Sequence, residues 1–236
     1  MIFAYSATDV GPKRAVNEDA VAVLDCNTYV VADGMGGYAA GEVASRILVD
    51  TVKSYLEHQE VFGEETLREA IRKGNDAIMD SVRENPAYAG MGTTATMFHI
   101  EGTEAVWAHV GDSRLYLLRN GRLSQITRDH SLVSDLVANG SITPEEAREH
   151  PKRNVITRAV GVSEEIIIDT GAFTIKSGDI LLLSTDGLTS VLSDDEICGL
   201  IMNTPKETDM ATLLVQKAIE AGSRDNISAV AVIFDA

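Results

Sequence analysis

Two long amphipathic helices in direct succession constrain this chain more than any other feature. Gly41 to His58 carries Val43, Ile47, Val49, Val52 and Leu56, and Glu64 to Glu84 carries Leu67, Ala70, Ile71, Ile78 and Val82. Apolar residues recurring at every third or fourth position turn one stripe of each helix toward a core. Nothing strand-like lies between them, so they cannot be the crossovers of a regular βαβ sheet. Short β-rich runs surround them instead. Val21–Leu24 and Thr28–Ala32 flank a turn at Asp25–Asn27, and Thr93–Ile100, Ala105–Val110, Leu115–Leu118 and Leu123–Ile126 follow. Ile166–Ile175, Ile180–Thr185 and Ile227–Phe234 come later, and Asn120-Gly121 suits a type I′ hairpin turn. Runs of strands with segregated helices predict an α+β fold of antiparallel sheets sandwiched by helices.

Ser131 to Val160 breaks this pattern. A short helix should end at Gly140, and Thr143-Pro144-Glu145-Glu146 opens another, with Thr143 as cap, Pro144 at the first helical position and Glu146 closing a capping box. The stretch reads as a helical flap, 131–160, inserted within a single domain spanning 1–236. Ser193 to Glu196 forms a second capping box before a helix to about Met202, and a last helix runs from about Asp209 to Ala221 and stops at Gly222.

Composition narrows the function. Twenty Lys and Arg stand against 36 Asp and Glu, a net charge of −16. Nucleic-acid binding needs a basic face, and anionic membranes repel such a surface, so neither partner is expected. No apolar run approaches the roughly 20 residues of a membrane span. Met1 to Val10 lacks the basic start and apolar run of a secretory leader, and a cytoplasmic monomer is expected. Cys26 and Cys198 form no Cys-x-x-Cys pair and read as small buried thiols. Neither is followed by Arg at the spacing of a thiol phosphatase loop.

Acidic residues gather at element boundaries. Val30-Val31-Ala32-Asp33-Gly34 and Leu182-Leu183-Ser184-Thr185-Asp186-Gly187 each end an apolar run in Asp-Gly, which predicts a carboxylate at the sheet edge before a tight turn. Asn17-Glu18-Asp19 and Ser223-Arg224-Asp225-Asn226 make four such clusters. Oxygen donors without a His-rich cluster suit Mg²⁺ or Mn²⁺ and not a zinc site.

Six segments in order then carry a resemblance. They are Arg14-Ala15-Val16-Asn17-Glu18-Asp19, Asp33-Gly34-Met35-Gly36-Gly37, Met91-Gly92-Thr93-Thr94, Gly111-Asp112-Ser113-Arg114, Ser184-Thr185-Asp186-Gly187 and Asp225-Asn226-Ile227-Ser228. Together they resemble the type 2C metal-dependent (PPM) protein serine/threonine phosphatases in their compact bacterial form. The resemblance implies an α-β-β-α sandwich of two antiparallel sheets with helices on both sides. It also implies that Asp33 bridges two tightly bound Mn²⁺ or Mg²⁺ ions, with the Gly34 carbonyl on one and Asp186 and Asp225 completing the other. Asp19, with Glu18 as a possible outer partner, acts through metal-bound waters. Arg14 grips the phosphate, and Asp112 with a share of Asp186 holds a third, weaker ion.

On this reading a hydroxide between the two ions attacks phosphorus with no phosphoenzyme, the substrates are phosphoproteins, and a cognate serine/threonine kinase is the functional partner. One departure stands out. Many members carry a His in or just after Asp-Gly-x-Gly-Gly that is proposed to protonate the leaving oxygen, and here Met35 and Tyr38 stand there. That leaves the general acid unassigned, with a metal-bound water as the favoured donor. His130 and His150 read as flap surface residues. The competing readings are a non-catalytic phosphoprotein-binding relative, which would need lost metal ligands, and a phosphatase of small metabolites.

Overall fold

The computed structural model describes residues 1–36 and 40–235. Gly37 and Tyr38, with the expectation attached to Tyr38, lie outside them. The strands are β1 (Ile2–Asp9), β2 (Asp19–Leu24), β3 (Thr28–Met35), β4 (Gly92–Thr93), β5 (Ala95–Glu101), β6 (Glu104–Val110), β7 (Arg114–Arg119), β8 (Arg122–Gln125), β9 (Asp169–Thr174), β10 (Asp179–Ser184) and β11 (Ile227–Phe234). The α-helices are α1 (Ala40–Leu56), α2 (Glu64–Glu84), α3 (Leu132–Ala138), α4 (Pro144–Glu149), α5 (Asp186–Thr189), α6 (Asp194–Met202) and α7 (Met210–Glu220).

These elements form the expected sandwich. One antiparallel sheet runs β1-β11-β10-β7-β8, and the other runs β2-β3-β5-β6-β9 with β4 paired to β3. The core has three apolar layers. Leu48, Val52, Leu67, Ile71 and Ile78 of α1 and α2 cover the outer face of the second sheet. Ile197, Ile201, Met210 and Leu214 cover the first. Phe98, Leu115, Leu181, Leu183, Val230 and Val232 fill the space between the sheets. Since side chains alternate faces along a strand, β11 feeds two layers at once, which is why all of Ile227–Phe234 is buried.

Several local expectations hold in detail. Asn120 and Gly121 both have positive φ (52° and 73°), as a type I′ turn requires. Both capping boxes form, at Thr143/Glu146 and at Ser193/Glu196. Neither α3 nor α4 buries a residue fully. The ends of segment 131–160 are nevertheless tied down. Leu132 N–H donates to Val155 O at 2.8 Å, and Val160 and Thr93 exchange backbone bonds of 2.9 and 3.0 Å.

Other expectations need correction. The N-terminal strand β1 has no sequence counterpart above. It pairs with β11 from Ile2↔Phe234 to Asp9↔Ile227, and its mix of Ser, Thr and Ala hides a strand that its fully apolar neighbour recruits. Asp33-Gly34 does not end a strand: β3 runs on to Met35, because Gly34 and Met35 change partner to Thr93 and Gly92 of β4. Asp186-Gly187 is no tight turn but the start of α5. Cys26 and Cys198 are half-buried. His130 is buried, 5% exposed. No helix among the described residues is long and apolar enough to cross a membrane.

Candidate active site

The site forms where both sheets end together. Asp19 on β2 and Asp33 on β3 are direct register partners, so their side chains leave the same face of the sheet. Thr94 fixes Asp33 from behind: its Oγ1 accepts from Asp33 N–H at 2.9 Å, and its own N–H donates to Asp33 O at 2.8 Å. The same Oγ1 meets Ser113 Oγ at 2.7 Å, which ties Asp33 to the loop carrying Asp112 between β6 and β7. From the other sheet, β10 delivers Asp186 at the first position of α5, and the turn before β11 delivers Asp225.

Gly34 is required sterically. A Cβ there would fall 2.1 Å from Gly41 O and 2.5 Å from Glu18 O, so β3 meets the start of α1 backbone to backbone. Gly34 N–H donates to Glu18 O at 3.0 Å, and Ser45 Oγ donates to the same carbonyl at 2.6 Å. Asn226 holds the loop before β2. Its Nδ2 donates to Val10 O and Val16 O at 2.9 and 3.0 Å, and its Oδ1 accepts from Glu18 N–H at 2.8 Å. Arg14 on that loop donates from Nη2 to Asp225 Oδ2 at 2.8 Å, with Glu18 3.7 Å from its Nη1.

The carboxylates raise one another's pKa. Asp33 sits well above the ordinary range, first through burial and then through the charges of Asp19, Asp186, Asp112 and Asp225. Burial and acidic neighbours push Asp19 and Asp112 up to about 7 and Asp186 up to about 6. Burial also raises Glu18.

Asp19 Oδ2 accepts from Thr185 Oγ1 at 2.8 Å and Ser228 Oγ at 2.7 Å, whereas its Oδ1 is buried with no partner. An orphaned buried oxygen among mutually repelling carboxylates fits a hard divalent cation in donor type and charge. Among the described residues no three acidic, His or Cys side chains already form a cluster that could hold a metal ion. Arg14 holds Asp225 in this arrangement.

The structure thus places Asp19, Asp33, Asp112, Asp186 and Asp225 within electrostatic reach of one another, with Arg14, Glu18 and Gly34 at the rim. Thr94, Thr185, Ser228 and Asn226 orient these groups and were not singled out from the sequence. Each sits inside one of the six segments quoted above, and that adjacency was the available signal. A cleft of about 710 Å³ opens from Asp112 and Asp186 between α3, α4 and the α5–α6 region, with Val137, Arg148, Arg153 and Leu192 on its walls.

Comparison with known proteins agrees with this fold. The family model described as Protein phosphatase 2C matches residues 12–217. Protein phosphatase PhpP of Streptococcus pneumoniae serotype 2 is 38% identical over 234 residues, 94% of this chain and 93% of that protein. The crystal structure of the Mycobacterium tuberculosis serine/threonine phosphatase PstP/Ppp superposes with a TM-score of 0.93 at 38% identity, covering 100% of this chain and 99% of that one. The catalytic domain of PstP in complex with two manganese ions gives a TM-score of 0.91 at 36% identity, with 100% and 99% coverage. With its fold and its carboxylate-rich site in agreement with a match over most of its length, the chain belongs to the protein phosphatase 2C family of metal-dependent protein phosphatases.

Proposed function

We propose that this chain hydrolyses phosphoserine and phosphothreonine in proteins at the carboxylate cluster around Asp33, using two Mn²⁺ or Mg²⁺ ions, and that it opposes a cognate serine/threonine kinase. The observation that carries the reading is the pairing of Asp19 with Asp33 under the charges of Asp112, Asp186 and Asp225. Five carboxylates crowded at one sheet end are stable together only as protonated acids or as ligands of cations. The similarity to a PstP domain complexed with two manganese ions supports the second alternative.

The ion pair, when bound, supplies Lewis acidity and lowers the pKa of water to near neutrality. Asp33, the Gly34 carbonyl, Asp186 and Asp225 would hold the two ions. Asp19, with Glu18 behind it, orients the surrounding solvent. Asp112 and Asp186 are assigned to a third, weaker site. Arg14 leaves Asp225 and places its planar fork on the phosphate oxygens. No side chain is called on as nucleophile. The chain acts as one catalytic domain, 1–236, in which segment 131–160 is a flap over the cleft that receives the substrate chain.

The test is a Mn²⁺ titration with a phosphothreonine peptide beside a panel of sugar phosphates. Metal-dependent release of phosphate from the peptide, well above that from the sugars, is the expected result. Faster turnover of sugar phosphates would replace this reading with that of a metabolite phosphatase.

A further inference from the structure

His130 takes no part in the reading above, yet it occupies the junction of four structural pieces. It is buried at the start of segment 131–160, between Asp129 and Ser131. Its backbone N–H donates to Gly111 O at 2.7 Å, and its Nδ1 accepts from Gly111 N–H at 3.1 Å. Gly111 is therefore held through both of its polar backbone groups by one residue. It is itself restricted, with φ at +113° and Thr94 2.5 Å from where a Cβ would stand. The next residue is Asp112.

On the other side of the ring, Nε2 faces Asp169 Oδ2 at 3.0 Å, and Asp169 Oδ1 accepts from Arg158 Nη1 at 2.9 Å. His130 O accepts from Thr157 N–H at 2.8 Å. His130 therefore joins the Asp112 loop and β9 through its ring, and the far end of segment 131–160 through its backbone carbonyl.

The hydrogen bonds fix the tautomer. Because Nδ1 accepts from a backbone N–H, the neutral ring carries its proton on Nε2 and donates it to Asp169. Arg158 Nη1, 3.2 Å from the same nitrogen, is then held by Asp169 and not by the ring. Burial, with the Arg158 charge, keeps His130 below its ordinary pKa. His109, 4.7 Å away ring to ring, is driven down to about 4 by burial and by its His130 neighbour, so the pair sits neutral.

We infer that His130 is a positioning residue that locks the flap to the Asp112 loop, so that segment 131–160 and the Asp112 carboxylate keep one relative placement. This rests on the assignment of Asp112 to the reaction. The role differs from simple packing, because only the Nδ1 side of the ring reaches Gly111, whereas the Nε2 side reaches Asp169.

Two substitutions separate the sides. His130→Asn can keep an acceptor near the Nδ1 position, and His130→Gln can keep a donor near Nε2 while losing the bond to Gly111. Loss of a group that orients an active-site ligand costs roughly 10–100-fold. His130→Gln should therefore lower phosphopeptide turnover by about tenfold or more and aryl phosphate turnover far less, while His130→Asn stays within about threefold of the parent. His130→Gln combined with Asp112→Ala should be no slower than Asp112→Ala alone, since residues acting through one another are not additive.

Imidazole ¹⁵N NMR of the metal-free protein should show the Nε2–H tautomer of His130 at neutral pH. Losses that multiply fully in the double variant, equal damage by Asn and Gln, or an Nδ1–H tautomer would each overturn the inference. A parent protein without peptide turnover would instead refute the phosphatase reading itself.

Discussion

Arg14 and Asp225, 211 residues apart in sequence, are joined by a 2.8 Å hydrogen bond from Nη2 to Oδ2. The group assigned to phosphate and a group assigned to metal thus neutralise each other. If Asp225 holds a cation as proposed, Arg14 competes with that cation for the same carboxylate. Arg14→Ala should lower kcat/KM for a phosphopeptide by about tenfold or more, through loss of a bidentate phosphate contact. Calorimetry should show Mn²⁺ binding no weaker than in the parent, because Asp225 loses a competitor. Weakened metal binding would reject this division of roles.

Asp33 stands at the centre of the carboxylate repulsion and opposite Asp19. Asp33→Asn keeps its size and its backbone bonds to Thr94 while removing the charge. Activity should fall at least about a thousandfold, the scale of losing a principal transition-state stabiliser. Near-parental turnover at saturating Mn²⁺ would remove Asp33 from the reaction.

Asp112 opens into the cleft beside Asp186. An aryl phosphate leaves as a stable phenolate, whereas a Ser or Thr alkoxide needs a proton. If Asp112 serves proton delivery, Asp112→Ala should reduce phosphopeptide turnover much more than aryl phosphate turnover, with the tight Mn²⁺ sites intact by calorimetry. Equal losses on both substrates would exclude that role, and no loss on either would exclude Asp112 from catalysis.

Cation binding should be coupled to proton release. Burial and neighbouring carboxylates push Asp19 and Asp112 up to about 7 and Asp186 up to about 6, above the 3.8 of an ordinary Asp. At pH 6 Asp19 and Asp112 so raised hold most of their protons and Asp186 about half, and a cation must displace them. Apparent Mn²⁺ affinity should therefore climb as pH rises from about 5.5 to 7.5 and level off above. Calorimetry at pH 6.5 in buffers of different ionisation enthalpy should register protons released on binding. Ordinary carboxylates would release essentially none at that pH, so a buffer-independent heat would contradict the raised pKa values.

Much of the fold is legible in local chemistry. Helix α2 begins and ends where its apolar spacing says, both capping boxes close, Asn120-Gly121 turns as its residue types require, and β11 has the expected bounds. Such signals act over a few residues, and neighbours in sequence suffice to express them. The six acidic and small-residue segments were legible for the same reason, each being a short run.

Partnership is what the sequence alone left open. Periodicity tells which face a residue occupies but not what lies across from it. Strand β1 exists because β11 offers it a full ladder, Asp33 lies inside a strand because β4 takes over from β5, and His130 is buried because Gly111 and Asp169 close on it from distant parts of the chain. Asp19 faces Asp33 by strand register, and Arg14 meets Asp225 only when both sheets stack. The sequence by itself determined the helices, the turns and the chemical kind of the site. Tertiary structure decided which groups share a partner or a face, because those energies depend on distances that close only when separate segments, from a dozen to more than two hundred residues apart, pack together.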